Sequence, residues 1–316
     1  MSERRTGPRP AVLGTCTLGP WSLGDPAERL AVSLEMIDAM AREAARQQWP
    51  LDLAVLPEHI TQGGNVPLAE KAEPLDGRTI TALAAKARQH GCNVAASVLL
   101  ADQGRVTNSV VFLDRAGRPV GRYDKLHPVL HLDGTLECGV SPGAGTVAVD
   151  LDFGRVGAQV CFDVFYDEGW QALDECGAEL VVLPSASSSA GAMRSHAWRH
   201  EYYVLSSTFR VPTLLVDPLG REVARTRADR EVLVARVDLD YRVLPWNSLR
   251  DFGKALGEKY GPRLCQNWDY EQDLCLLTSL DGSLPVGELM RREGLETHRE
   301  HLARNTACYP SAKRRP

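Results

Sequence analysis

Residues 53–57 read Leu-Ala-Val-Leu-Pro, and residues 180–184 read Leu-Val-Val-Leu-Pro. A strand inside a parallel sheet is buried on both faces and therefore reads as an unbroken apolar run. Proline lacks the N–H that continues a strand ladder, so Pro57 and Pro184 are predicted to lead the chain out of the sheet. The two runs indicate an α/β protein with buried parallel strands.

Helical signals alternate with these strands. The stretch Asp25-Pro26-Ala27-Glu28 combines an N-cap residue, a proline at the first helical position and an acid three residues after the cap, and apolar residues then recur at helical spacing as far as Trp49. Further helices are expected over about 79–89, 166–175 and 193–206. Together with the strand hairpins between them, these units predict two sheets sandwiched between helices.

The pattern is continuous enough to predict one domain over residues 10–240. Residues 1–9 are expected to form a disordered tail, and residues 241–316 a C-terminal extension suited to a subunit interface. The first ten residues carry three arginines and no apolar run, so no secretory signal is expected there.

Composition excludes several classes of protein. The 316 residues are 44% hydrophobic and 24% charged, which is typical of a globular chain, and the net charge of −5 provides no positive field for nucleic acid. No apolar run approaches the length of a membrane span, so no membrane partner is expected. The eight cysteines are scattered without a CxxC pair, which favours a reduced, cytoplasmic protein over a zinc or dithiol centre.

Three segments place chemically capable residues at strand ends, where α/β folds build their sites. They are Val55-Leu56-Pro57-Glu58-His59, Tyr123-Asp124-Lys125-Leu126-His127 and Gly157-Ala158-Gln159-Val160-Cys161-Phe162-Asp163. Taken singly, Glu58, Lys125 and Cys161 fit a helix cap, a solvated cation and a core thiol. Together they provide a nucleophile, a base and a cation for an oxyanion, which is the set that acyl transfer needs.

The order and wide spacing of these three segments resemble the nitrilase, or carbon-nitrogen hydrolase, superfamily. The later turn Asp217-Pro218-Leu219-Gly220-Arg221-Glu222 is similar as well, so the resemblance covers roughly residues 10–240. It implies a four-layer αββα sandwich that dimerises as αββα–αββα. It also implies that Cys161 is the nucleophile, Glu58 the general base and later acid, and Lys125 the cation beside the oxyanion.

The resemblance extends to two further groups. The backbone N–H of Phe162 would complete the oxyanion hole with Lys125. Glu137, which is followed by Ser141-Pro142-Gly143, is the best match to a second glutamate of the family that orients the lysine or the substrate. Without that role, Glu137 would be a loop carboxylate in solvent.

The residues around the cysteine distinguish branches of the family. Cys161-Phe162-Asp163 is similar to the amidase and carbamoylase branches, whereas nitrile-cleaving members usually have Cys-Trp-Glu. Phe165 stands where many of these branches have an arginine that helps to bind a substrate carboxylate, so Val164 and Phe165 favour a neutral or apolar acyl group. Four other residues have weaker signals, namely His59 and His127 as pocket or surface residues, Ser185 at the pocket rim, and His131.

The predicted function is hydrolysis of a small linear amide or N-carbamoyl compound through a thioester on Cys161, with water as the second substrate. A nitrilase and an amide-to-amine acyltransferase would use the same residues, and a non-catalytic descendant that binds a small molecule or a protein is a third reading. No organic cofactor is expected. His127 and His131 have the spacing of two metal ligands, but Pro128 lies between them and no third ligand is evident, so no metal is expected either. A homodimer or higher homo-oligomer is expected.

Overall fold

The structure is a computed structural model that describes residues 7–19, 25–61 and 71–309. The chain divides into two compact units, one formed by Ala11–Val237 and the other by the described parts of residues 1–10 and 238–316. None of the helices in these described stretches combines the length and the apolar character needed to cross a bilayer.

The larger unit contains one twelve-stranded sheet in the order β5-β4-β3-β2-β1-β9-β8-β7-β6, with β10 beside β9, β11 beside β10, and β12 beside β1. The pairs β3–β2, β2–β1, β1–β9, β9–β8 and β8–β7 are parallel, whereas β3–β4, β4–β5, β6–β7, β9–β10 and β10–β11 are antiparallel. The strands are β1 (Pro10–Thr17), β2 (Leu53–Val55), β3 (Asn93–Asp102), β4 (Arg105–Leu113), β5 (Pro119–Asp124), β6 (Ala148–Asp150), β7 (Arg155–Ala158), β8 (Leu180–Ser185), β9 (Tyr203–Thr208), β10 (Leu214–Val216), β11 (Glu222–Arg225) and β12 (Glu231–Asp238).

Two pairs of helices cover the two halves of this sheet. The helices α1 (Pro26–Arg46) and α2 (Arg78–His90) pack on one face of β1–β4, around Ile37, Leu83 and Val94. The helices α3 (Glu168–Glu175) and α4 (Ala190–His200) pack on β8–β10 around Trp170. The uncovered faces meet, since β3 contacts β8 without pairing with it. This confirms the predicted four-layer αββα sandwich, although the two predicted sheets are joined into one where β1 pairs with β9 at Thr17 and Thr208.

One predicted helix is too long. The expected helix over 193–206 ends at His200, because Glu201 has φ +49°, and the chain then enters β9. All six residues of Tyr203–Thr208 are buried between β8, β1 and β10. Their aromatic, β-branched and apolar side chains suit a strand, and sheet pairing therefore overrides the helical periodicity that precedes them.

The smaller unit has its own sheet and core. Its strands β13 (Tyr241–Pro245), β14 (Leu264–Asp269) and β15 (Leu274–Ser279) are antiparallel in the order β13-β15-β14. Three helices accompany them, α5 (Lys254–Tyr260), α6 (Val286–Glu293) and α7 (His298–Cys308), and its core includes Leu277, Leu284 and Leu289.

The proposed roles of the two ends of the chain stay predictions. Residues 1–6 of the predicted disordered tail lie outside the described residues, and Arg9 donates its backbone N–H to Asp238 Oδ1 at 2.9 Å. The assignment of residues 241–316 to a subunit interface likewise stays a prediction.

Candidate active site

Three strand ends bring the predicted catalytic side chains together. Glu58 follows β2 by three residues, Lys125 directly follows β5, and Cys161 follows β7 by three residues. Ser185 is the last residue of β8, which pairs with β7 in parallel. The carboxyl ends of parallel strands share one edge of a sheet, so short extensions beyond them meet at one place.

Lys125 lies buried between two carboxylates. Its Nζ is 3.1 Å from Glu58 Oε1 and donates a second hydrogen bond to Glu137 Oε1, and Lys125 is only 1% exposed. Burial alone would lower the pKa of Lys125, but the two carboxylates outweigh it and raise that pKa above its ordinary value. The lysine is therefore a fixed positive charge at neutral pH.

The two glutamates have different environments. Burial is the largest influence and acts to raise the pKa of Glu58, but Lys125 together with His59 and Cys161 lowers it below the usual range. Burial raises the pKa of Glu137 in spite of its bond to Lys125. Glu58 is therefore the carboxylate that stays ionised and ready to accept a proton.

The Cys161 thiol and Glu58 interact electrostatically. Cys161 has φ +47° and begins a 3₁₀ turn over Cys161–Phe165, and Glu58, the Ser185 side chain and the Ala186 backbone each act on the pKa of its thiol. Burial, reinforced by the negative charge of Glu58, raises the pKa of Cys161 to about 12. The resting thiol is therefore neutral, and an attack by sulfur requires Glu58 to take its proton.

The Asp163 carboxylate connects the turn that begins at Cys161 with the residues on either side of Lys125. Its Oδ2 accepts hydrogen bonds from the Tyr123 hydroxyl (2.8 Å) and the Val160 N–H (2.9 Å), and its Oδ1 accepts from the His127 N–H (2.8 Å). His127 Nδ1 lies 2.9 Å from the same Oδ1. Asp163 is completely buried, so water does not compete for these hydrogen bonds. They hold the residues beside Cys161 and Lys125 in place relative to one another.

His127 lies at the edge of this arrangement. Its Nε2 is 2.9 Å from Glu168 Oε1, and its ring stacks on Tyr166 with centroids 3.8 Å apart. The hydrogen bond to Asp163 raises the pKa of His127 above its ordinary value. Within the described parts of the chain, no group of three or more His, Cys, Asp or Glu side chains has an arrangement suited to a metal ion.

The other residues predicted after Cys161 differ in exposure, since the two phenylalanines are at least partly exposed and Val164 is buried. Phe162 is partly exposed and its ring meets that of Phe165 edge-on at 5.5 Å, while Phe165 is 65% exposed. Val164 is buried in the core with Trp170 and Leu173, so the structure does not bring its side chain into the site.

His59 is buried directly behind Glu58, and burial lowers the pKa of His59 to about 4. It is therefore neutral at physiological pH. Its Nε2 lies 2.8 Å from the Asn108 side-chain amide.

Two residues of the site were not found by sequence reasoning. The Asn108 amide donates to Glu58 Oε1 at 2.8 Å, and Asp163 was noticed only as part of the cysteine motif. A signal for Asn108 existed, since Thr107-Asn108-Ser109 is a polar triplet inside a buried, largely apolar strand. Buried polar groups need partners, so such a triplet indicates a hydrogen-bonded network.

Comparisons with known proteins identify the family of the chain. The family model described as carbon-nitrogen hydrolase matches residues 13–243. The chain is 28% identical over 240 residues to a hydrolase of Mycobacterium tuberculosis (66% of this chain, 85% of the relative), and 28% identical over 235 residues to an (R)-stereoselective amidase of Pseudomonas sp. (69% and 81%). A Saccharomyces cerevisiae protein from branch 10 of the nitrilase superfamily superposes with a TM-score of 0.63 at 18% identity, covering 73% of this chain and 90% of that one. The chain belongs to the carbon-nitrogen hydrolase family.

Proposed function

We propose that this hydrolase cleaves the C–N bond of a small linear amide or N-carbamoyl compound through a thioester on Cys161. The observation that carries the proposal is the buried Lys125 ammonium, which lies between Glu58 and Glu137, while Glu58 also interacts electrostatically with the Cys161 thiol. The similarity to an amidase supports amides as the substrate class.

In the first half-reaction, Glu58 takes the thiol proton as the sulfur attacks the amide carbonyl carbon. The carbonyl π electrons move to oxygen, and the charge that develops there is stabilised by Lys125 and by the backbone N–H of Phe162. The N–H groups in the first turn of a helix have no partner inside that helix, which leaves the Phe162 N–H suited to this role. When the intermediate collapses, protonated Glu58 gives its proton to the leaving nitrogen, and ammonia or an amine departs.

In the second half-reaction, water attacks the thioester carbonyl while Glu58 takes a proton from the water. Collapse of this second intermediate breaks the C–S bond, and the sulfur recovers its proton from Glu58. The products are the carboxylic acid and the free thiol, so the enzyme returns to its starting state. Every group in this scheme is a protein side chain, a backbone N–H, substrate or water, and no cofactor is required.

The substrate is proposed to have a neutral or apolar acyl group. Immediately after Cys161, the ring centroid of Phe162 lies 5.5 Å from that of Phe165 and 5.7 Å from that of Tyr166. No guanidinium stands at position 165 to pair with a substrate carboxylate. An apolar acyl chain is therefore expected to bind better than an acidic one.

The test is ammonia release from a panel of aliphatic and aromatic amides, N-carbamoyl compounds and nitriles. Cys161→Ala and Glu58→Gln should each abolish release, whereas Cys176→Ala is the matched control, because Cys176 is an exposed thiol at the end of α3. Release that survives Cys161→Ala, or no product from any compound together with an unreactive Cys161, would overturn the proposal.

Two alternatives use the same residues. A nitrilase would release ammonia from nitriles in preference to amides, and the Cys161-Phe162-Asp163 sequence favours the amide. An acyltransferase would form a new amide when an amine competes with water, so addition of hydroxylamine and measurement of hydroxamate separates transfer from hydrolysis. A non-catalytic binding protein would retain its role in the Cys161→Ala variant.

A cytoplasmic homodimer is proposed for the assembly. All eight cysteines are unpaired, which supports a reducing compartment. The dimer rests on the family resemblance, and light scattering on the purified full chain tests it. A monomer at micromolar concentration would contradict the dimer.

A further inference from the structure

Asn108 lies at the centre of a buried hydrogen-bond network behind the proposed general base. It is in the middle of β4 and is completely buried. Its backbone carbonyl accepts a hydrogen bond from the backbone N–H of Lys125 at 2.8 Å. Its side-chain nitrogen lies 2.8 Å from Glu58 Oε1 and 2.8 Å from His59 Nε2. One residue therefore contacts the base, the residue after the base, and the backbone of the lysine.

The orientation of the Asn108 amide follows from its neighbours. With the opposite orientation, the amide oxygen would lie 2.8 Å from a carboxylate oxygen, and two acceptors would face each other. Ser97 fits the observed orientation, because its hydroxyl accepts the His59 N–H at 3.1 Å and donates to Asn108 Oδ1 at 2.8 Å. The two N–H bonds of the amide are thus directed to Glu58 and to the neutral ring of His59.

In this network the two oxygens of Glu58 have different hydrogen-bond donors. Oε1 receives the Asn108 amide and the Lys125 ammonium, while Oε2 receives the Ala186 N–H at 3.1 Å. The Ala186 backbone also lowers the pKa of the Cys161 thiol, which puts Ala186 next to the sulfur, so Oε2, its hydrogen-bond partner, is the oxygen on the sulfur side. Two donors on Oε1 stabilise the ionised carboxylate and prevent rotation that would exchange the oxygens.

We propose that Asn108, oriented by Ser97, is a positioning residue that holds Glu58 ionised, with Oε2 directed at the Cys161 thiol. This inference rests on the proposed function, in which Glu58 takes the thiol proton. It assigns a role to the polar side chain of a buried strand that packing alone does not explain, since an apolar residue would fill the same space at lower desolvation cost.

The test compares four variants in the full chain. Asn108→Leu removes both donors at similar volume, Asn108→Asp adds a second carboxylate, and Ser97→Ala frees the amide to rotate. Thr107→Val is the matched control, because it is an isosteric change at a buried neighbour on β4 whose hydroxyl bonds only Ser109 and Arg122 among the described residues. The measurements are kcat, KM and their pH profiles, and the rate of Cys161 alkylation by iodoacetamide against pH, followed by peptide mapping.

Asn108→Leu should lower kcat by about 10- to 100-fold, the size expected for a hydrogen bond to a charged group, with KM changed little. The acid limb of its pH profile should move to higher pH, because Glu58 loses a donor that stabilises its ionised form. The acid limb of Asn108→Asp should move further, because two adjacent carboxylates share a proton. Ser97→Ala should give a smaller fall in the same direction. Thr107→Val should keep the wild-type profile, which separates positioning from a general effect of buried polar groups.

The inference is overturned if both Asn108 variants keep the wild-type acid limb, or if Thr107→Val moves it equally. If neither Asn108 variant folds, Ser97→Ala decides, since an unchanged limb in that folded variant also overturns the inference. The alkylation profile needs no turnover. If wild-type protein hydrolyses no amide while the alkylation limbs move as expected, the proposed function fails and the positioning role stands.

Discussion

Replacement of Asp163 by asparagine tests how the site is assembled. The two oxygens of Asp163 accept from four donors, and two of these are the backbone N–H groups of Val160 and His127, one on each oxygen. An asparagine has only one acceptor atom, so either orientation of its amide leaves one of those buried N–H groups facing an NH₂ group. Neither backbone group can rotate away.

The expected loss of stability follows from these contacts. An unsatisfied buried N–H costs about 1–3 kcal/mol, and replacing a charged acceptor by a neutral one on the remaining bonds costs roughly 1 kcal/mol more. Asp163→Asn should therefore lower the free energy of unfolding by about 2–4 kcal/mol. Asp150→Asn is the control, because Asp150 pairs with Arg155 on the surface and its loss should cost at most about 0.5 kcal/mol.

The assay is equilibrium urea unfolding of both variants, compared at equal m-values. The Asp163 variant should also lose kcat, because Val160 precedes Cys161 and His127 follows Lys125 by two residues. A stability of Asp163→Asn within about 0.5 kcal/mol of wild type would refute the reasoning, since it would mean that the four donors find other partners at no cost.

Three further predictions concern charge. Lys125→Met should lower kcat about 100- to 1000-fold, as expected for loss of one group that stabilises an oxyanion; a variant with kcat within tenfold of wild type would exclude that role for Lys125. In wild type, kcat/KM should fall only below the usual carboxyl range as pH is lowered, because the pKa of Glu58 is depressed and its ionised form is the active one. On the alkaline side, kcat/KM should not fall near neutral pH, because the pKa of Cys161 is about 12. An acid limb above pH ~6 in that profile would contradict this assignment. His127 has a raised pKa in the folded state, so its contribution to stability is present at low pH and is lost as pH rises through that value; urea unfolding should show that His127→Gln destabilises more at about pH 5 than at about pH 9, and an equal effect at both would contradict it.

The proposed catalytic residues could be predicted from the sequence because each lies within three residues of the end of a strand. The apolar runs before Pro57 and Pro184 are buried strands, and Glu58 lies just beyond the first of them. The prediction that Pro184 leaves the sheet is wrong, because β8 continues to Ser185 and Pro184 lies opposite Ser207 of β9. The wide separation of Glu58, Lys125 and Cys161 along the chain then matters little, because β2 and β7 pair in parallel with their neighbours and β5, after two antiparallel steps, runs in the same direction as β3. This part of the site depends on topology, which local patterns predict well.

The parts that were missed depend on long-range contacts. β9 follows α4 after only two residues, and its strand character comes from pairing with β8, which no local window contains. Val164 lies next to the site in sequence, but the 3₁₀ turn after Cys161 directs its side chain into the core. The partners of Asn108 are 11 to 50 residues away, so its network is visible only in three dimensions.

The most direct test of the proposed mechanism is mass spectrometry of the acid-quenched wild-type protein during turnover of a slowly hydrolysed amide. The mechanism predicts a mass increase equal to the acyl group, located on the peptide that contains Cys161 and removed by hydroxylamine. The Cys176→Ala control should carry the same adduct. Steady product formation with no adduct on Cys161, or with the adduct on another of the eight cysteines, would contradict the assignment of Cys161 as nucleophile.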